Sequence, residues 1–118
     1  MANVYKNIQA VISSAGSDVD MYTSPTATTS IVKSVKLYNT HSSNLVVDIT
    51  VYDASSTTDF EFDTVTVNAS NSVDLLTFNN LLMLEAGDIL KMQAATTDVI
   101  KMTAAILQIT RPPEVTTT

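Results

Sequence analysis

Leu45-Val46-Val47-Asp48-Ile49-Thr50-Val51-Tyr52-Asp53 places Leu45, Val47, Ile49 and Val51 on one side and Asp48, Thr50 and Tyr52 on the other. Successive side chains of a strand point to opposite faces, so this two-residue period marks a strand with one face buried and one face wet. The stretch before it, 31–39, behaves alike: Ile31, Val35 and Leu37 share a side, and Lys33 interrupts them. Between the two lies Asn39-Thr40-His41-Ser42-Ser43-Asn44, whose side chains bond their own backbone in turns. Together they predict an antiparallel hairpin.

Working outward, the same period recurs between polar breaks about every ten residues. Residues 3–12 place Val4, Ile8, Ala10 and Ile12 on one face, with Lys6 as the exception, and Ser13-Ser14-Ala15-Gly16-Ser17 follows as a flexible turn. A short strand over 19–22 ends before Pro25, which cannot donate to a ladder. After the polar turn 54–58 the phase changes: Phe60 and Phe62 occupy one face, Val65 and Val67 the other. One extra residue repairs that, so a β-bulge or sheet-switching bend is expected near Asp63-Thr64. Further strands are expected over 73–78, 81–84, 89–95 and 99–110, with breaks at Asn68-Ala69-Ser70-Asn71 and Asn79-Asn80. Leu84-Glu85-Ala86-Gly87-Asp88 reads as a tight turn in which Gly87 supplies a positive φ. The last strand is apolar on both faces in its middle, which suits a strand covered on both sides or an edge buried by another subunit.

The composition agrees. Of 118 residues, 13 Val, 8 Ile and 18 Thr are β-branched, a class that stiffens in helices and packs well on a pleated surface. Length bounds the chain to one domain, 1–118, with an N-terminal strand or arm at 1–13 and a C-terminal tail at 111–118. The expected fold is all-β: an antiparallel β-sandwich, jelly-roll-like, of eight or nine strands ordered as hairpins.

Six basic against twelve acidic residues give a formal net charge of −6, and Lys6, Lys33, Lys36, Lys91, Lys101 and Arg111 form no aromatic-studded basic patch. Nucleic acid is therefore not an expected partner. No apolar run reaches the roughly 20 residues of a membrane helix, so no membrane partner is expected. With no basic leader in residues 1–15 and no cysteine, the chain is expected to be made in a host-type cytoplasm.

Chemistry-bearing residues are sparse. His41, the single histidine, adjoins Ser42 and Ser43 in a turn, which does not by itself assemble a nucleophile, base and orienting acid. Asp59, Glu61 and Asp63 alternate on one expected strand face opposite Phe60 and Phe62, as a solvated face would. Asp53/Asp59 and Glu85/Asp88 are further acid pairs, and Asp18 with Asp20 is the best calcium candidate, lacking the ligand count. Gly16 and Gly87 stand alone, so no phosphate loop is read, and Asn68-Ala69-Ser70 is a turn before it is a glycosylation acceptor. Met83, Met92 and Met102 are expected to fill the core. No catalytic, cofactor-binding or metal residue is assigned, no cofactor is expected, and the chain is not read as an enzyme.

The stretch 28–95 resembles small virion proteins of tailed bacteriophages. The residues carrying the resemblance are Ser30-Ile31-Val32-Lys33-Ser34-Val35-Lys36-Leu37-Tyr38-Asn39, the 45–53 run quoted above, and Leu81-Leu82-Met83-Leu84-Glu85-Ala86-Gly87-Asp88-Ile89-Leu90. The resemblance implies a structural role with no catalytic residues. The first reading is a capsid decoration, or cement, protein on the outer capsid surface. It would bind the major capsid protein and bridge capsomers as a homo-oligomer, a trimer favoured, with 2–12 and 110–118 as clamps. The alternatives are a low-copy neck, tail or fibre-attachment component and, further off, a carbohydrate-binding jelly-roll module with a shallow site near Tyr22, Tyr38 or Tyr52.

Overall fold

The computed structural model describes residues 2–76 and 81–110. They form nine strands: β1 Ala2–Val11, β2 Val19–Thr23, β3 Thr28–Asn39, β4 Leu45–Asp53, β5 Thr58–Val67, β6 Ser72–Leu76, β7 Leu82–Leu84, β8 Ile89–Gln93 and β9 Ile100–Thr110. One sheet runs β1-β9-β3-β6, with β7 also on β3; the other runs β2-β8-β4-β5. Every described pairing between strands is antiparallel. The expected all-β sandwich is what the chain builds. No helix is long and apolar enough to cross a membrane among the described residues.

The chain changes sheet at nearly every connection. β6 and β7 pair with successive parts of β3, at Val35–Tyr38 and Ser30–Val32, so they serve as one interrupted strand. Counted that way, eight strands make two four-stranded layers in jelly-roll order, with β4 and β5 the one consecutive pair in a single layer among the described residues. The hairpin expected between 31–39 and 45–53 is overturned, because β3 and β4 lie in different sheets. Alternation reports that one face is buried and says nothing about the lateral neighbour. The polar 40–44 segment is instead an arch held by buried Asn39: its Nδ2 donates to Ser43 O (2.9 Å) and Val67 O (3.0 Å), and its Oδ1 accepts from His41 N (2.8 Å). β4 and β5 form the hairpin.

Local slips in register decide what faces in. The β3–β9 register shifts between Val32 and Ser34, leaving Lys33 as the extra residue. Val32, Val35 and Leu37 therefore point into the core at 0% exposure, while Ile31 faces outward, correcting the expected Ile31-Val35-Leu37 stripe. The expected bulge in β5 exists: Ile49 faces Asp63 and Thr50 faces Glu61, so Phe62 is the extra residue, just before Asp63-Thr64. A third shift, between Asp20 and Tyr22, lets Met21 and Tyr22 both be buried.

The core lies between the layers. Val47, Ile49, Leu90 and Met92 of one sheet meet Leu37, Ile100, Met102 and Ile106 of the other. Each large side chain so buried contributes about 1.5–3 kcal/mol from leaving water. β9 is central in its sheet but covered on one face only; Ala105, Leu107 and Ile109 lie on the outward side. Residues 2–11 are no loose arm, since they pair with β9 from Ala2 to Val11. The tail 111–118 lies outside the described residues, as does the break at Asn79-Asn80.

The β7–β8 turn fastens one end of the sandwich. Gly87 adopts φ +86°, and a Cβ there would come 3.1 Å from Ala54 Cβ, so both backbone and space call for glycine. Buried Asp88 accepts from Glu85 N (2.9 Å) and from Ala54 N (3.0 Å), while Ser24 N donates to Asp88 O and Gly87 N to Ser24 O. One turn thereby ties the β2–β3 and β4–β5 connections together.

Candidate functional site

A chain of hydrogen bonds crosses the seam beside that turn. Gln108 Nε2 donates to Tyr22 Oη (2.7 Å), Tyr22 Oη meets Ser30 Oγ (2.7 Å), Ser30 Oγ meets Ser24 Oγ (2.8 Å), and Ser24 Oγ donates to Thr28 O (3.0 Å). A hydroxyl has one proton. Ser24 uses its own on the carbonyl, so Ser30 donates to Ser24 and Tyr22 to Ser30, and the chain runs in one direction. Ser24, Ser30, Tyr22 and Gln108 are all buried. The arrangement aligns the two sheets and offers no open nucleophile.

That placement removes Tyr22 from any sugar platform. Tyr38 is exposed on the outward side of the five-stranded sheet, and Tyr52 lies in β4 of the other sheet with Lys91 Nζ 5.2 Å from its ring centroid. The three tyrosines do not share a face.

His41 remains a turn residue. Its Nδ1 accepts from Ser43 N (3.1 Å), which fixes the loop and leaves Ser42 and Ser43 unpaired with the ring as nucleophiles. Asp53 also belongs to a turn: the Ser55 hydroxyl (2.7 Å) and Ser55 N (3.1 Å) donate to Oδ1, holding its carboxyl below the ordinary aspartate value. Asn68-Ala69-Ser70 sits in a turn closed by Asn71 N donating to Asn68 O (3.1 Å). Met92 and Met102 are buried as expected, at 0% and 1%, but Met83 is 63% exposed, because Ile31, its partner across the ladder, also faces outward.

The acids gather. Asp18, Asp48, Asp59, Glu61 and Asp63 line a depression of about 400 Å³ on the outward side of the four-stranded sheet. Thr64 Oγ1 donates to Asp48 Oδ1 (3.1 Å), and Lys91 Nζ lies 3.6 Å from Asp59 Oδ1. No group of three or more acids or histidines is placed to hold a metal among the described residues, and Asp18 and Asp20 are not joined by further ligands. Glu85 is exposed while Asp88 is buried as a turn clamp, so that pair is split by environment.

Register creates a feature that no single strand displays. Tyr5 of β1 faces Leu107 of β9, Leu107 faces Ile31 of β3, and Ile31 faces Met83 of β7. This apolar row crosses the outward face of the five-stranded sheet, with Tyr5 73% exposed and Lys33 Nζ 5.1 Å from its ring centroid. Next to it, Ala105 and Ser34 floor a shallow, mostly apolar groove of about 460 Å³ that also touches Lys36 and Asp74. The sequence carried one faint sign of the row: each member is an apolar residue out of step with its own strand's buried positions.

Charge is sorted between the sheets. The five-stranded sheet bears Lys6, Lys33, Lys36 and Lys101 against Asp74; the four-stranded sheet bears Asp20, Asp48, Asp53, Asp59, Glu61 and Asp63 against Lys91. Lys91–Asp59 is the single salt bridge among the described residues. No family model matches the chain, and neither a curated protein nor a solved structure matches it.

Proposed function

We propose that the protein is a virion structural subunit, first of all a capsid decoration protein that binds the major capsid protein on the outer capsid surface and bridges capsomers without performing chemistry. One observation carries the reading: an outward apolar row, exposed at Tyr5 and Met83 and half-buried at Leu107 and Ile31, lies across the sheet beside lysines that form no salt bridge among the described residues. Contiguous exposed apolar surface on a rigid scaffold marks a binding face. Jelly rolls are used as capsid domains, which agrees with the reading but also with other roles, since a fold hosts many functions. Assembly by faces also fits the guarded edges. β1 carries Lys6, β5 carries acids and a bulge, and β2 is short and bulged, all of which discourage edge-to-edge strand pairing.

In this reading the subunits form a homo-oligomer, with a trimer at local threefold positions favoured. A second reading, a low-copy neck, tail or fibre-attachment component, is favoured by the opposite charge of the two faces, because contacts between unlike faces generate rings and stacks. The carbohydrate-binding reading lacks a shared tyrosine face and is not carried forward. Quantitative gel analysis of purified particles separates the first two: on the order of hundreds of copies per particle supports decoration, whereas roughly six or twelve supports the neck or tail and overturns decoration.

A further inference from the structure

We infer that this chain associates with copies of itself front to back, the outward face of the five-stranded sheet of one copy docking on the outward face of the four-stranded sheet of the next. The inference goes beyond the virion reading and does not depend on it. It starts from the sorting of charge. Lys36 and Lys101 stand on the outward side of the first face, alternating with buried Val35, Leu37, Ile100 and Met102. Asp48 and Glu61 stand on the outward side of the second, across the ladder from Thr64 and Thr50. None of these four has a counter-ion within salt-bridge distance among the described residues.

Folding does not require this sorting, since outward positions do not enter the core and tolerate either sign. A molecule of net charge −6 that places Lys36 and Lys101 on one outward face, with Asp74 across the ladder from Lys36, presents on its own opposite face the acidic surface those lysines fit. The first face adds the apolar row and the small-residue groove floored by Ala105 and Ser34, which give close approach and water exclusion. Size is adequate. Four strand positions at about 4.8 Å spacing and about ten residues at about 3.3 Å give on the order of 600 Å² per copy, hence about 1,200 Å² in all, the lower bound for a specific interface. Because the faces are unlike, the docked pair keeps one of each free, and growth continues as a stack or a wide ring.

The test is sedimentation velocity of the full chain over a concentration series at about 0.15 M salt, where screening confines the contacts to about 8 Å. The weight-average mass of the unaltered chain rises with concentration past that of a dimer. K36Q with K101Q weakens association at least about tenfold. D48N with E61Q does so as well, although it brings the net charge closer to zero, a change that generically promotes association. An equimolar mixture of the two double variants stops at a one-to-one pair, because one complementary pair of faces remains intact. Circular dichroism first establishes that both variants fold. A chain that stays monomeric throughout overturns the inference. So does a plateau at a dimer or trimer indifferent to both double variants, or stronger association by D48N/E61Q. A monomer that still binds purified particles overturns the stacking and leaves the virion reading standing.

Discussion

In the seam between the sheets and at its fastened end, Met102 is 1% exposed, Asp88 holds two backbone N–H groups, and Tyr22 passes a hydrogen bond from Gln108 to Ser30. On the outward faces Met83 is 63% exposed, Asp48 meets Thr64, and Tyr52 lies under Lys91. The same three residue types thus occupy opposite situations. Inside, each position is dictated by packing density or by a polar group that would otherwise be left unpaired. Outside, neither constraint operates, so the apolar row and the separation of lysines from acids are not by-products of folding. They are the surface on which the proposed front-to-back contact rests.

The comparison can be broken residue by residue. Met102→Ala removes a filled volume between the layers and is expected to cost about 3 kcal/mol in urea denaturation, against less than about 0.5 kcal/mol for Met83→Ala. Similar losses would mean that Met83 is part of the core. Asp88→Asn turns an NH₂ toward a backbone N–H that now meets a carboxylate oxygen, so about 2.5 kcal/mol is expected, with no measurable change for Asp48→Asn in the monomer. Tyr22→Phe strands Gln108 and Ser30 and should cost about 1.5 kcal/mol, whereas Tyr52→Phe should leave the melting temperature unchanged.

The smallest effect concerns acid. Asp53 is held below the ordinary value of 3.8 by the Ser55 hydroxyl. Its folded-state value is the lower one, so its contribution is present above the unfolded value and is lost as pH falls through the folded one. Asp53→Asn should therefore lower the melting temperature slightly near neutrality and flatten a slight part of the acid-side slope, so that the variant and the unaltered chain converge as pH falls below about 4.

The strands were legible because most of them bury a face, and a two-residue period survives in sequence; β5, exposed until Val65 and Val67, kept the period without the burial. Residues 45–53 show it most cleanly, and the phase slip between Phe62 and Val65 placed the β5 bulge to within two residues. Partners were not legible. The 31–39 and 45–53 stripes alternate alike whether they lie side by side or face each other across a core, so the expected hairpin was replaced by an arch. Lys33 hid a bulge: it broke the stripe where an extra residue moves Ile31 outward and Val32 inward. The outward row was illegible for the same reason. Tyr5, Leu107, Ile31 and Met83 come from four strands, and only the ladder register lines them up.

The most direct measurement is zero-length carbodiimide coupling of an equal mixture of isotope-labelled and unlabelled chain, followed by mass spectrometry of the covalent dimer. Mixed-isotope peptides joining Lys36 or Lys101 to Asp48 or Glu61 are expected, since only unlike faces of separate copies bring these groups together. A covalent dimer joined through other residues, or no dimer at concentrations where the chain is otherwise seen to associate, would contradict the front-to-back contact.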